Sequence, residues 1–227
     1  MNKRLKLIST LIPDGVGFVD VGTDHGYLPV HMAMNGYTGN IIASDLRPAP
    51  LSCAVSSARE ARVDDRINFR LSDGLDGIAP DAVDTIVIAG MGGDTICGIL
   101  DRAEWCMDKR YFLILQPMTK ANILRYWLVH NEFAITQEHL VRDMGETYEL
   151  ITARFGSETR LCDAELFTGC YPLARTQPLF PKHLDTQIAR FEKAVAGMSR
   201  SERMTGRRLL NEEILKEMYR MREDMHI

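Results

Sequence analysis

The sequence lacks a long apolar run, and it lacks closely paired cysteines. It holds five cysteines, an odd number, and no two of them have C-x-x-C spacing. A disulfide framework and a zinc knuckle are therefore disfavoured, and we expect reduced thiols in a cytosolic protein. Pro13 and Gly15 interrupt the basic N-terminal segment before any apolar stretch develops. We therefore expect no signal peptide, no membrane span and a cytoplasmic location.

An overall basic charge is also missing, and so are histidines at metal-ligand spacing. The formal net charge is -4, so no global positive field indicates a nucleic-acid partner, and we expect no metal site. The charge is uneven, because residues 181–227 hold ten Lys/Arg against eight Asp/Glu. This small asymmetry fits solvated helix faces as well as an RNA contact surface. The 227 residues, 45% of them hydrophobic, predict a globular domain with a small appendage.

Short apolar runs alternate with helical segments in the first part of the chain. After a helix at 3–12, strands are predicted at 16–21, 41–43, 67–69, 83–89 and 111–115. Helices are predicted between them at 28–35, at 51–61 with its start favoured by Pro48 and Pro50, at 94–103 and at 119–131. This alternation predicts an α/β fold with a parallel, doubly wound, Rossmann-like sheet. Residues 133–141 and 147–155 flank Asp143-Met144-Gly145, which predicts a closing hairpin with one antiparallel strand.

A different period appears near the C-terminus. Apolar residues recur at alternating steps of four and three from Leu184 to Met198, and nearly so from Leu210 to Met225. Such seams are typical of helices packed as a coiled coil. Gly197 offers a helix stop, and Ser199–Glu202 matches the capping box S-x-x-E. We therefore predict an antiparallel helical hairpin.

The chain is thus predicted to have three parts. Residues 1–155 form the Rossmann-like domain. Residues 156–180 contain scattered glycine and proline and form a connector. Residues 181–227 form the C-terminal helical hairpin, a possible RNA-binding element.

Turns with acidic residues or glycine follow four successive strands. They are Asp20–Pro29, Ser44-Asp45-Leu46, Ser72-Asp73-Gly74 and Ala89–Asp94. Ligands of a doubly wound sheet bind past the carboxyl ends of its strands. Any one of these turns recurs by chance, but four together are much rarer. They therefore predict a nucleotide-like ligand at this edge.

The residues in these turns disfavour a dinucleotide. The fingerprint G-x-G-x-x-G is broken by Asp24 and Tyr27, and the glycines at 90–93 lack the G-K-[ST] ending of a phosphate loop. A pyrophosphate also prefers bare amides at a helix N-terminus to carboxylates. S-adenosylmethionine has no phosphate and carries a sulfonium and an ammonium, which Asp20 and Asp24 would stabilise. A nicotinamide oxidoreductase is therefore the weakest alternative.

Two further aspartates fit the nucleoside part of such a ligand. Asp45 lies 23 residues after Gly22, where an acidic residue can accept both hydroxyls of a ribose. Asp73 can accept a hydrogen bond from the adenine amino group. An isolated aspartate after a strand is otherwise most often a turn former.

Two strings in the chain resemble one family closely. Val-Gly-Thr-Asp-His-Gly-Tyr-Leu-Pro at 21–29 and Val-Asp-Thr-Ile-Val-Ile-Ala-Gly-Met-Gly-Gly at 83–93 are similar to motifs of bacterial tRNA (adenine(22)-N1)-methyltransferases, which are class I methyltransferases. Leu113–Pro117 is similar to the fifth strand of that family, and Tyr148-Glu149 to its final hairpin. The resemblance runs from about residue 3 to 155 and continues weakly into the helical hairpin, which the family also has. The chain departs from the family in having Cys170 after Gly169, where Gly-Pro is frequent, and in having Asp45, where many members differ.

The resemblance implies methyl transfer from S-adenosylmethionine to N1 of an adenine in tRNA, at position 22 in the D-arm region. It implies that Asp24 is the catalytic residue, although Asp24 would also suit the N-cap of the helix at 28–35. The cofactor would be held by Asp20, Gly22, His25, Gly26, Tyr27, Leu28, Asp45, Leu46, Asp73, Gly74, Gly90 and Met91.

The tRNA would be bound by two further sets of residues. The target base would meet Gly92, Gly93, Gln116 and Pro117. The phosphates would meet Lys3, Arg4, Arg200, Arg203, Arg207 and Arg208, although each could equally belong to a solvated helix face. We expect a monomer or a weak homodimer.

Two other functions remain open on the sequence alone. One is a methyltransferase of a small molecule, whose helical hairpin would serve as a lid or a dimer seam. The other is a non-catalytic RNA-binding protein that kept the fold, because a fold does not determine a function.

Overall fold

The computed structural model describes residues 1–156, 159–198 and 205–225. Its strands are β1 Phe18–Val21, β2 Ile41–Asp45, β3 Ile67–Leu71, β4 Thr85–Gly92, β5 Phe112–Thr119, β6 Phe133–Asp143 and β7 Glu146–Phe155. Its helices are α1 Lys3–Leu11, α2 Tyr27–Met34, α3 Pro48–Glu60, α4 Gly93–Arg102, α5 Ala121–His130, α6 Asp163–Thr168, α7 Tyr171–Ala174, α8 Phe180–Met198 and α9 Thr205–Asp224. Over these ranges, no helix has both the length and the apolar character needed to cross a bilayer.

The strands form one sheet in the order β3-β2-β1-β4-β5-β7-β6. The pairs from β3 across to β5 are parallel, and β7 is antiparallel to β5. The two-residue turn of the β6–β7 hairpin consists of Met144 and Gly145, both with positive φ, as a tight hairpin requires. The predicted α/β sheet with its antiparallel hairpin is confirmed.

The central strands are buried because both faces of the sheet are covered. All four residues of β1 are buried, and Ile86, Val87 and Ile88 of β4 have no exposed surface. Such continuous apolar strands are typical of a parallel sheet between two layers of helices. The strand order changes direction between β1 and β4, so the carboxyl ends of these two strands flank the usual ligand crevice of the fold.

Several elements begin or end away from the predicted positions. β4 continues to Gly92 and β5 to Thr119, although we predicted ends at Ala89 and Leu115. The two strands keep pairing through register shifts between Ala89 and Gly92, so tertiary pairing extends strands whose local sequence indicates a turn. By contrast, α3 begins at Pro48, as the prolines at 48 and 50 predicted, because proline fits the first turn of a helix.

The described chain separates into two compact units. The first contains residues 1–137 and 141–159, and the second contains residues 138–140 and the described residues from Arg160 on. In the second unit, Tyr219 of α9 donates a hydrogen bond to Glu192 of α8, and Arg222 lies 3.8 Å from Asp185. These pairs run in opposite directions along the two helices, so α8 and α9 are antiparallel as predicted.

The helical unit differs from the prediction in three places. Its apolar core also contains Ala164 and Ala174, because α6 and α7 form within the stretch that we expected to be a connector. α8 passes through Gly197 and ends at Met198, and Leu210 is 46% exposed instead of lying in the seam. The predicted capping box at 199–202 lies outside the described residues.

The packing of the helical unit can be tested by comparing a buried methionine of its seam with an exposed methionine elsewhere in the chain. Met218 has no exposed surface, whereas Met144 at the hairpin turn is 91% exposed. We expect Met218→Ala to lower the free energy of unfolding by about 2–5 kcal/mol, because it leaves a cavity among packed side chains. Met144→Ala is the control and should stay within about 0.5 kcal/mol of the wild type in urea denaturation. Equal effects of the two substitutions would contradict the packing described.

Candidate active site

A cavity of about 570 Å³ opens at the carboxyl ends of the central strands. Its lining includes Asp24 after β1, Asp45 at the end of β2, Asp73 after β3, and Gly90 and Met91 of β4. The size lies within the usual range for a small-molecule site. All four predicted turns therefore contribute to one cavity.

A smaller cavity of about 250 Å³ adjoins the first. The two share Gly22, Asp24, Ala89 and Gly90 in their linings. The smaller one adds Asp20 from β1, and Asn2 and Arg4 bring the start of the chain to it, together with Leu5, Thr23, Tyr27 and Leu28. An elongated ligand could therefore lie across both cavities, with the four shared residues at its middle.

Asp45 connects the first two turns through its carboxylate. The backbone N–H of Asp24 donates to Asp45 Oδ2 at 3.2 Å, and the N–H of Arg47 donates to Oδ1 at 2.9 Å. A carboxylate has about four lone-pair sites, so it can accept further hydrogen bonds from a ligand. This arrangement fits the prediction that Asp45 accepts the ribose hydroxyls.

Asp73 is held by an arginine that the sequence analysis missed. Arg102 Nη2 lies 2.8 Å from Asp73 Oδ1, and Arg102 Nε lies 3.4 Å from Asp76 Oδ1. Arg102 lines the larger cavity together with Thr95 and Ile99 of the same helix. These positions are spaced i, i+4 and i+7, which is one face of a helix. Helical periodicity counted from the glycine turn could have found them.

Asp20 is a buried carboxyl group with an altered titration. It is 6% exposed, and the Thr23 hydroxyl donates to its Oδ2 at 2.7 Å. The pKa of Asp20 is raised to about 6, chiefly by burial and to a lesser extent by the neighbouring Asp45, against the opposing effects of the Thr23 hydrogen bond and Arg4. A cationic ligand beside Asp20 would favour the ionised form.

Asp24 lies where the two cavities meet. Its side chain is 63% exposed, and its backbone has a positive φ of 52°, which aspartate tolerates better than most residues. The N-cap of α2 is Gly26, so the alternative interpretation of Asp24 as the helix N-cap is wrong. Asp24 therefore offers an accessible carboxylate to whatever occupies the junction.

Two aromatic side chains that follow Asp24 in the chain stack on each other beside the smaller cavity. The rings of His25 and Tyr27 stack with centroids 5.4 Å apart and an interplanar angle of 27°. Tyr27 is 55% exposed and lines the smaller cavity, whereas His25 lines neither of the two cavities. His25 therefore reaches the site through two neighbours, because its ring stacks on Tyr27 and its Nε2 lies 3.8 Å from Asp24 Oδ2.

Two predicted glycines are explained by packing rather than by a ligand. A Cβ atom on Gly26 would lie 2.9 Å from Ala54 Cβ, and one on Gly93 would lie 2.2 Å from the Lys120 carbonyl oxygen. Neither residue lines either of the two cavities. The close approach of α2 to α3, and of α4 to the end of β5, therefore accounts for them.

The other residues predicted to meet the target base also lie away from the cavity walls. Gln116 and Pro117 are buried in β5, and Gly92 is the N-cap residue of α4. Gln116 Oε1 accepts a hydrogen bond from the Gly90 N–H at 3.1 Å and another from Arg4 Nη1. Gln116 therefore holds Gly90 and Arg4, which line the site, without lining a cavity itself.

The basic residues predicted to contact phosphate fall in different places. Lys3 is exposed on α1, while Arg4 is half-buried at the smaller cavity. Arg207 and Arg208 lie on α9 in the second unit, where Arg208 pairs with Glu212 at 3.0 Å. Arg200 and Arg203 lie outside the described residues. A phosphate contact by this set stays a prediction.

Another hollow, of about 600 Å³, lies at the opposite end of the strands. Asp14, His31, Tyr37 and Thr38 are among the residues that line it. This is the amino end of β1 and β2, and ligands of open α/β sheets bind at the carboxyl ends instead. Among the described residues, no group of three or more His, Cys, Asp or Glu could hold a metal ion.

Comparison with known proteins relates this chain to methyltransferases. A family model described as a methyltransferase domain matches residues 1–151. The tRNA (adenine(22)-N(1))-methyltransferase of Bacillus subtilis is 32% identical over 163 residues, which are 72% of this chain and 68% of that protein.

Solved structures agree over nearly the whole chain. A Streptococcus pneumoniae protein described as a candidate tRNA (m1A22) methyltransferase, crystallised with S-adenosyl-L-methionine, superposes with a TM-score of 0.82 at 26% identity, covering 97% of this chain and 98% of its own. The crystal structure of the Bacillus subtilis enzyme superposes with a TM-score of 0.80 at 26% identity, covering 100% of this chain and 97% of its own.

The titration of Asp20 predicts a change in stability with pH. Its pKa is higher in the folded chain than the usual 3.8, so the folded state binds the proton more tightly than the unfolded state. Wild-type stability from this group is therefore present at low pH and is lost as the pH rises towards 6. Asp20→Asn removes the ionisation, so without ligand its stability relative to the wild type should improve by roughly 2 kcal/mol between about pH 4 and pH 7.

The measurement is urea denaturation of both proteins across that pH range. Asp65→Asn, at an exposed position, is the matched control and should parallel the wild type. A difference between Asp20→Asn and the wild type that does not vary with pH would mean that the Asp20 carboxyl is not buried as described.

Proposed function

We propose, since this chain belongs to the tRNA (adenine(22)-N(1))-methyltransferase family, that it transfers a methyl group from S-adenosylmethionine to N1 of adenine 22 in tRNA. The observation that carries this function is the pair of adjoining cavities at the carboxyl edge of the sheet, with aspartates at both ends. A small-molecule substrate or a non-catalytic RNA-binding role has no comparable support among the relatives.

The residues of the larger cavity fit the nucleoside part of the cofactor. Asp45 can accept the ribose hydroxyls, and Asp73 can accept the adenine amino group while Arg102 holds its other oxygen. Leu46, Gly74 and Met91 also line this cavity, and we assign them to the apolar surface of the nucleoside. The cofactor, when bound, supplies a methyl group on a positively charged sulfur. Carboxylates on the lining suit that positive charge and would repel the pyrophosphate of a dinucleotide.

Asp24 is the group that we assign to the reacting end. N1 of adenine already has an in-plane lone pair, so no base is needed to remove a proton before attack, and catalysis consists largely of alignment. The ring gains positive charge as the new bond forms. A carboxylate near the adenine amino group would stabilise that charge and orient the base, and Asp24 is accessible at the junction of the cavities.

The target base has to leave its stack to reach this junction, because N1 is hidden in paired or stacked RNA. We assign the exposed ring of Tyr27, and Gly92 at the start of α4, to the incoming base. Because Gln116 and Pro117 are buried, we assign them an indirect role in holding the Gly90 wall.

The RNA backbone would be held by exposed basic residues. We assign this role to Lys3, to Arg207 and Arg208 of α9, and to Arg200 and Arg203, which lie outside the described residues. We further propose that the protein works in the cytoplasm, as a monomer or a weak homodimer. The five free cysteines are consistent with that compartment.

The direct test is methylation of an unmodified tRNA transcript, with the product nucleotide identified by mass spectrometry. We expect 1-methyladenosine at position 22 and no product on a transcript that carries guanine there. Methyl on a cytosine or guanine, or on small metabolites but not on tRNA, would overturn the proposed function.

Asp24→Asn tests the role of the accessible carboxylate. We expect kcat to fall about 10²- to 10³-fold, because the amide no longer stabilises charge on the adenine ring. The Kd of S-adenosylhomocysteine should change much less than kcat. Asp65→Asn serves again as the matched control. An Asp24→Asn enzyme with wild-type kcat would remove Asp24 from the mechanism.

A further inference from the structure

The smaller cavity has a lining with charges of both signs. Asp20 and Asp24 supply carboxylates, and Arg4 is the one Lys or Arg among the described residues that line it. Two negative groups and one positive group in about 250 Å³ complement a ligand that carries an ammonium and a carboxylate together. An α-amino acid end is such a ligand.

Arg4 is held in place by residues from three strands. Its Nη1 donates to Gln116 Oε1 and lies 3.3 Å from the sulfur of Met118. Its guanidinium carbon lies 5.5 Å from the centre of the Tyr148 ring, and its backbone N–H lies 3.4 Å from Asp143 Oδ2. The guanidinium is thus oriented before any ligand binds, which reduces the entropy lost on binding.

The same guanidinium still has donors to offer. Across the described part of the chain, Nη1 is the single guanidinium nitrogen of Arg4 that takes part in a hydrogen bond. Nε and Nη2 remain, and arginine donors in a planar fork match a carboxylate well. The guanidinium also lies at the cavity wall, because a Cβ atom on Gly90 would be 3.4 Å from Nη1.

We propose that Arg4 binds the carboxylate of the methionine end of S-adenosylmethionine, while Asp20 faces its ammonium and Asp24 remains with the target base. The proposal rests on the proposed function and assigns Arg4 to the cofactor instead of to the tRNA phosphates. Lys3, its neighbour in the chain, is exposed and keeps the phosphate assignment. Consecutive residues of α1 therefore serve different parts of the reaction.

The test compares two ligands that share the adenosine and the thioether. S-adenosylhomocysteine carries the amino-acid end, and 5′-methylthioadenosine has a methyl group in its place. We expect Arg4→Ala to weaken S-adenosylhomocysteine binding about 10- to 100-fold, as for loss of a charge-assisted hydrogen bond. Binding of 5′-methylthioadenosine should change less than twofold. Calorimetric titration of the full-length chain gives both Kd values.

Three further variants keep the test decisive. Arg59→Ala, on the surface of α3, is the matched control and should alter neither Kd. Arg4→Lys should recover part of the lost affinity, because lysine keeps the charge but not the fork. Arg4→Gln keeps an amide that can bond Gln116, and it replaces Arg4→Ala if the alanine variant fails to fold.

The alternative outcomes are distinct. Equal loss of both ligands in Arg4→Ala would mean that Arg4 only shapes the cavity. Unchanged binding of both, with a higher KM for tRNA and a weaker salt dependence, would return Arg4 to the phosphate contacts. A wild-type protein that binds neither ligand would overturn the proposed function itself, before Arg4 is considered.

Discussion

The parallel sheet brings carboxylates close together at one edge, and the rest of the site depends on how their charge is balanced. Asp20, Asp24, Asp45 and Asp73 line the two adjoining cavities because the strands that precede them all end there. Backbone amides balance part of this charge at Asp45, and arginines balance part of it at Asp73 and near Asp20. A cationic cofactor supplies the remainder, so the same charges that cost stability in the empty site favour a sulfonium and an ammonium over a pyrophosphate.

Arg4 of the first helix connects the charged edge of the sheet to strands β5 and β7. Arg4 reaches the end of β1 from α1, and its orientation depends on Gln116 in β5 and Tyr148 in β7. The closing hairpin therefore helps to orient a residue of the smaller cavity, although its own residues line neither cavity. Because Gln116 also bonds the Gly90 N–H, one buried amide group positions both the arginine and the glycine wall.

Whether the sequence predicted a feature of the site depends on how far apart in the chain the interacting residues are. Asp45 and Asp73 could be placed because a strand followed by a turn is a local pattern, and parallel strands send all such turns to one edge. Arg102 could not be placed, since its partner Asp73 is 29 residues away and the pairing exists only once α4 packs beside β3's turn. Gln116 looked like a contact for the base, and only its burial showed that it acts from behind. In the helical unit, periodicity marked most of the seam but also included Leu210, which is exposed.

The sequence by itself determined the alternation of strands and helices, the acidic turns and the hairpin turn at Met144 and Gly145, because these follow from hydrophobic periods and backbone preferences within about ten residues. It also disfavoured a phosphate ligand through the residues that interrupt its glycines. The tertiary structure decided which turns share a cavity, which glycines serve packing, and where Arg4 points. Those outcomes depend on contacts between residues far apart in the chain, such as Arg4 and Gln116 at a separation of 112 positions, which no local pattern encodes.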